Sequence, residues 1–149
     1  MFFANSNIDT RDEFERRLGE ARKLAAAEGV ELVAEEYDHE DWLREVAAGY
    51  ESEPEKGARC ERCYRYNLAH AAAYAAAHGF DAFTTSLTVS PHKPSVKVFA
   101  AADGNPRFLR EDFKKRDGFK ISVKRSEELG LYRQPYCGCE FSKSGVGEA

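Results

Sequence analysis

Apolar positions recur at helical and strand spacings along most of the chain, and the two periods alternate. Phe2, Phe3 and Ala4 read as the end of a strand cut short by the start of the chain. Asn5-Ser6-Asn7 is turn chemistry. Thr10-Arg11-Asp12-Glu13 fits a reciprocal N-terminal cap, and Phe14, Leu18, Ala21 and Ala25 follow at helical spacing until Gly29. Residues 30–37 read as a strand through Leu32 and Val33. Asp38 is placed to cap a second helix carrying Trp42, Leu43 and Val46, closed by Gly49. A polar loop delivers the chain to Cys60, and an alanine-rich helix runs from there to about His78, with Gly79 as its stop.

Residues 80–87, Phe-Asp-Ala-Phe-Thr-Thr-Ser-Leu, are the clearest strand pattern. A hydroxyl- and proline-rich loop follows, with Ser90, Pro91, His92, Lys93 and Pro94. Ser95 is expected to cap a short helix over residues 96–102, and residues 121–129 a last helix closed by Gly130. Residues 107–113 fit a strand followed by a turn, and the tail from Ser142 is expected to fray. Strands alternating with helices predict an α/β fold with a mainly parallel sheet. In such sheets, sites form beyond the carboxyl ends of strands, where the loop after Leu87 lies.

The chain has 149 residues, 42% of them hydrophobic, enough for one domain with its own core and no disulfide staple. No apolar run approaches a membrane span, and the first residues lack a signal-peptide pattern, so a cytoplasmic protein without membrane contact is expected. Net charge is −4 but unevenly spread, −8 over residues 1–83 and +4 over residues 84–149. The basic part includes Lys114, Lys115, Arg116, Lys120 and Lys124, a stretch that can meet phosphates or simply be a solvated face.

All four cysteines fall in two close pairs. Cys60 and Cys63 are three residues apart at a helix N-terminus, beside Arg59, Arg62 and Arg65. The helix dipole and the guanidinium groups both favour thiolate, the form that binds soft metals and attacks disulfides. Cys137-Gly138-Cys139 is a rarer spacing. A bridge there closes a very small ring of the labile, redox-active kind, while the same two thiolates can instead share a metal. Four cysteines also suit structural zinc, but 73 residues separate Cys63 from Cys137, so only the folded chain can unite them. His92 and Lys93 can contact a substrate or sit exposed, and Thr84, Thr85, Ser86 and Ser90 can contact a substrate or pair with backbone. His39, His70 and His78 read as structural.

Four blocks carry a resemblance: Asn5-x-Asn7-Ile8; Cys60-Glu61-Arg62-Cys63-Tyr64; Phe83-Thr84-Thr85-Ser86-Leu87 with Ser90-Pro91-His92-Lys93; and Glu128 to Ser142, spanning Leu-Gly-Leu-Tyr-Arg-Gln-x-Tyr-Cys-Gly-Cys-x-Phe. Together they resemble the QueH-type epoxyqueuosine reductases over almost the whole chain. The resemblance implies a compact Rossmann-like three-layer fold and the last step of queuosine biosynthesis, reductive removal of the epoxide oxygen of epoxyqueuosine at the tRNA wobble position. It implies a 4Fe–4S cluster with Cys60 and Cys63 as two ligands. Cys137 and Cys139 are implied as a redox-active disulfide, or as a pair helping to bind an additional iron. Substrate contacts are expected from Thr84, Thr85, Ser90, His92, Lys93 and Arg133. The partners implied are tRNA bearing epoxyqueuosine and an unidentified electron donor.

The family opens with an apolar strand running into two adjacent cysteines, the other two cluster ligands, which precede the point where this chain begins. A first strand largely missing is therefore expected, within a single domain over residues 1–149. Asn5-Ser6-Asn7 also departs from a pattern in which proline commonly separates the asparagines. The competing readings are a cluster-free thiol–disulfide oxidoreductase, a zinc-stabilised RNA-binding module and an inactive fragment.

Overall fold

The computed structural model describes residues 1–145. The elements are β1 (Phe2–Phe3), α1 (Arg11–Ala27), β2 (Val33–Ala34), α2 (His39–Trp42) running into a π-helical turn (Leu43–Ala47), α3 (Ala58–Ala77), a 3-10 turn (Ser86–Val89), α4 (Ser95–Ala101), α5 (Gly118–Glu128) and a 3-10 turn (Glu140–Gly145). The fold is α/β, with β1 and β2 paired in parallel, Phe2 opposite Val33 and Phe3 opposite Ala34.

Successive strand residues point to opposite faces. Phe2 stacks on Tyr74 of α3 at 4.2 Å, and Phe3 meets Phe14 of α1 at 5.4 Å. The two helices thus contact opposite faces of the pair. α1 buries Phe14 and Leu18 with Ile8. α3 is the shared wall of two further clusters. On one side Tyr64 and Leu68 pack with Val98, Ala101 and Phe108, and Cys60 borders them. On the other, Trp42, Val46 and Ala47 pack against Cys63, Tyr66 and Cys139.

Several expectations need correction. The strand expected over residues 80–87 is reduced to one parallel bridge, Phe83 opposite Phe108. Its hydroxyls divert the backbone. Thr84 Oγ1 donates to Leu109 O, and Thr85 Oγ1 accepts from Leu87 N and starts the 3-10 turn. The strand expected over residues 30–37 keeps only two ladder residues. The cap of α1 is half of the reciprocal pair. Thr10 accepts from Glu13 N, but the Glu13 carboxylate accepts from Arg17 Nε at 2.7 Å instead of turning back. Ser95 does not cap α4, because its hydroxyl accepts from the Lys114 ammonium at 2.6 Å. Ser142 is not frayed; it is buried and hydrogen-bonded, while residues 146–149 lie outside the described part.

A four-cysteine cavity

Cys60 lies in the first turn of α3, and Cys63 follows one turn on. Cys137 and Cys139 arrive from the far end of the chain on an irregular loop. That loop is held from three sides. Arg17 of α1 donates to Cys137 O at 2.7 Å and places its guanidinium 5.0 Å from the Tyr136 ring centre. Gly138 O accepts from Asp9 N, and Gly138 N donates to Ser142 Oγ. Ser142 Oγ donates in turn to Cys139 O at 2.7 Å. Gly138 has φ +148°, and a Cβ there would stand 3.2 Å from both Arg17 and Asn7. Glycine is the residue that fits such a backbone and such a gap.

The result is one cavity lined by all four cysteines. Asn7, Trp42, Lys56, Arg59, Tyr64, His92, Lys93 and Ser142 are among its other walls. The cysteines are free thiols. Lys93 Nζ stands 3.6 Å from Cys137 Sγ, and Lys56 N donates to Cys60 Sγ at 3.2 Å. The loop bearing His92 and Lys93 is fixed from beneath, where the Lys114 ammonium donates to Thr88 O and Lys93 O.

The electrostatics differ from the sequence expectation. Burial pushes the Cys60, Cys63 and Cys139 thiols up, and the neighbouring sulfurs add to the effect. The arginines do little against it, because their guanidinium groups serve the backbone. Arg59 donates to Tyr50 O, Glu51 O and Glu53 O, and Arg62 to Val46 O and Glu45 O. Thiols that resist ionisation together in one cavity are stabilised as thiolates by a cation placed among them. The donor set therefore fits a soft metal group. Among the described residues, no three His, Cys, Asp or Glu side chains are grouped to hold one metal ion. In a 4Fe–4S cluster each thiolate meets a different iron, so that spacing bears on a single ion and not on a cluster.

Of the other candidates, His92 and Lys93 line the cavity. Thr84 and Thr85 spend their hydroxyls on backbone, and Ser90 Oγ accepts from His92 N. Arg133 borders a separate depression between α1 and α5, with Glu20, Ser126 and Tyr132. His39, His70 and His78 are engaged by Ser6 O, Glu35 and Tyr74 O. Sequence reasoning missed Trp42, Tyr64 and Ser142 as cavity walls. Tyr64 and Ser142 stand inside the cysteine motifs, which was the available signal, whereas Trp42 has no cysteine near it in sequence and only packing brings it to the sulfurs.

The sequence model of the family described as epoxyqueuosine reductase QueH matches residues 1–145. The protein named Epoxyqueuosine reductase QueH of Streptococcus pyogenes serotype M1 is 37% identical over 158 residues, covering 99% of this chain and 62% of that protein. Its namesake in Dehalococcoides mccartyi is 34% identical over 149 residues, covering 96% and 78%. The Thermotoga maritima protein of that name is 34% identical over 150 residues, covering 95% and 78%. The chain thus spans from 62% to 78% of the length of these relatives.

Proposed function

The chain belongs to the epoxyqueuosine reductase QueH family, and from that premise we propose that it reduces epoxyqueuosine in tRNA to queuosine. The supporting observation is the convergence of two cysteine pairs, far apart in the sequence, on one cavity. We read the fold as a Rossmann-like three-layer domain over residues 1–149, acting in the cytoplasm. No helix among the described residues is long and apolar enough to cross a membrane.

Removing the epoxide oxygen as water consumes two electrons and two protons and leaves an alkene. Cys60 and Cys63 would hold two irons of a 4Fe–4S cluster, which when bound supplies electrons one at a time. Cys137 and Cys139 supply the same stoichiometry as a dithiol: two electrons and two protons leave as the disulfide forms. The family resemblance also offers that pair as ligands for an additional iron. The Lys93 amine, 3.6 Å from Cys137 Sγ, is the group we assign to steady the developing negative charge on oxygen. His92, on the same wall, can hold a proton for the leaving oxygen. An electron donor, still to be identified by its chemistry, returns the disulfide to the dithiol.

The test is anaerobic purification with iron, sulfide and zinc analysis, followed by incubation with epoxyqueuosine tRNA and a reductant. Nucleoside mass spectrometry reads the product. We expect about four iron and four sulfide per chain, loss of both in Cys60→Ser, and retained iron with lost turnover in Cys137→Ser. A colourless, zinc-loaded protein without turnover overturns the reading in favour of a zinc-stabilised module. Thiol exchange without iron favours the cluster-free oxidoreductase.

A further inference from the structure

Trp42 is the only tryptophan of the chain and is 1% exposed. It sits where α2 passes into the π turn, in which Ala48 N donates to Leu43 O. π turns widen a helix locally and recur at functional sites. The ring is fixed on two sides. It stacks on His39 with centroids 5.4 Å apart, and lies 6.5 Å from the Phe141 ring. His39 is itself held between Ser6 O and the Glu140 carboxylate. These contacts fix the orientation of the indole in the structure.

So placed, Trp42 lines the cavity beside Cys63 and Cys139. Its Nε1 donor is fully buried and meets no partner at full hydrogen-bond geometry among the described residues, yet it lies near enough to Cys63 to favour that thiolate over the thiol. The asparagine beside the same thiol also carries an unsatisfied atom. Asn67 Nδ2 stands 3.6 Å from Cys63 Sγ, while Asn67 Oδ1 is buried with no partner. Leaving a buried polar group unpaired costs the desolvation of that group with no bond in return. A phenylalanine fills an apolar niche without that cost. A neutral thiol is a weak acceptor, whereas a metal-bound thiolate carries charge and accepts well.

We propose that the Trp42 indole N–H hydrogen-bonds the Cys63 sulfur in its metal-bound thiolate form, and so raises the reduction potential of the cluster held there. The inference rests on the cluster reading above. A hydrogen bond to a ligand sulfur stabilises the more negative, reduced state more than the oxidised one. Trp42 is thus a positioning and tuning residue, and it leaves the ligand count unchanged.

The experiment uses the full chain, metal-free and after anaerobic loading with iron and sulfide. Ultraviolet resonance Raman follows the indole N–H marker band, which a single tryptophan makes unambiguous. Redox titration by visible absorption compares the wild type with Trp42→Phe. We expect the marker to move to its hydrogen-bonded position on loading. The variant should keep the same iron and sulfide content with a more negative midpoint potential. An unmoved marker, or an unmoved potential in a fully loaded variant, overturns the proposal. Where Trp42→Phe fails to fold, the marker on the wild type decides alone. A wild type that takes up no iron overturns the cluster reading and this inference together, whereas a loaded wild type with an unmoved marker overturns only the inference.

Discussion

Gly138 shows how much one position carries. Its backbone lies where L side chains seldom go, and the space beyond it is already taken by Arg17, Asn7 and Ile8. Gly138→Ala should destabilise the protein by about 1–3 kcal/mol from backbone strain. It should also loosen Cys137 from Arg17, read as faster alkylation of Cys137 in the metal-free chain. A variant with wild-type denaturant midpoint and wild-type alkylation would remove the case for a strained loop. Asp112 gives the pH dependence. Partial burial alone would raise its carboxyl, but the Ser95 hydroxyl with the Lys114 amide and ammonium holds it below the usual carboxylate value. A lowered folded-state value means stability that is complete above about pH 4 and lost as pH falls through the folded value. Asp112→Asn should therefore lower the thermal midpoint at neutral pH, and its deficit should shrink by about pH 2–3. An equal deficit at both pH values would show that the charge is not what matters.

At the scale of elements, the helices were legible because their signals are local. Thr10 and Asp38 cap α1 and α2, and Gly29, Gly79 and Gly130 take positive φ at or just past the ends of α1, α3 and α5. Strands were harder, because a strand is defined by its partner and not by its own residues. Residues 80–87 have strand composition, yet only Phe83 found a ladder contact. Gly19, inside α1, makes a separate prediction. A Cβ there meets nothing within 4 Å, so the residue has no packing reason to be glycine. Gly19→Ala should raise stability by about 0.5–1 kcal/mol, measured by urea unfolding. A loss would mean that the groove beside α1 needs the bare backbone. The turn before α5 is the opposite case. Arg116 and Asp117 both have positive φ, and a Cβ on Gly118 would run into Phe113 O. That turn is tightly closed, in a backbone conformation against local preference.

For the molecule as a whole, the turn sets which basic residues remain available. Lys114 is drawn inward onto the cavity loop, and Arg125 pairs with Glu28 and Glu128. Lys115, Arg116 and Lys120 are exposed and make no ion pair among the described residues. On the reading of this basic stretch as a phosphate-binding face, each of Lys115→Gln, Arg116→Gln and Lys120→Gln should weaken tRNA binding. Each should also flatten the dependence of log K on log salt by about 1. Fluorescence anisotropy across a salt series measures this, and unchanged slopes would assign the RNA contact to another face.

The sequence by itself determined the helices, their stops, the paired cysteines and the resemblance to a family, because caps, periodicity and short motifs are properties of neighbouring residues. Tertiary structure alone decided that Cys60, Cys63, Cys137 and Cys139 share one cavity, since that depends on Arg17, Asp9 and Ser142 holding a loop more than a hundred residues from Asp9 along the chain. It also decided that burial, and not the adjacent arginines, sets the state of Cys60 and Cys63. Desolvation and the aim of a guanidinium group are settled only when the chain is packed.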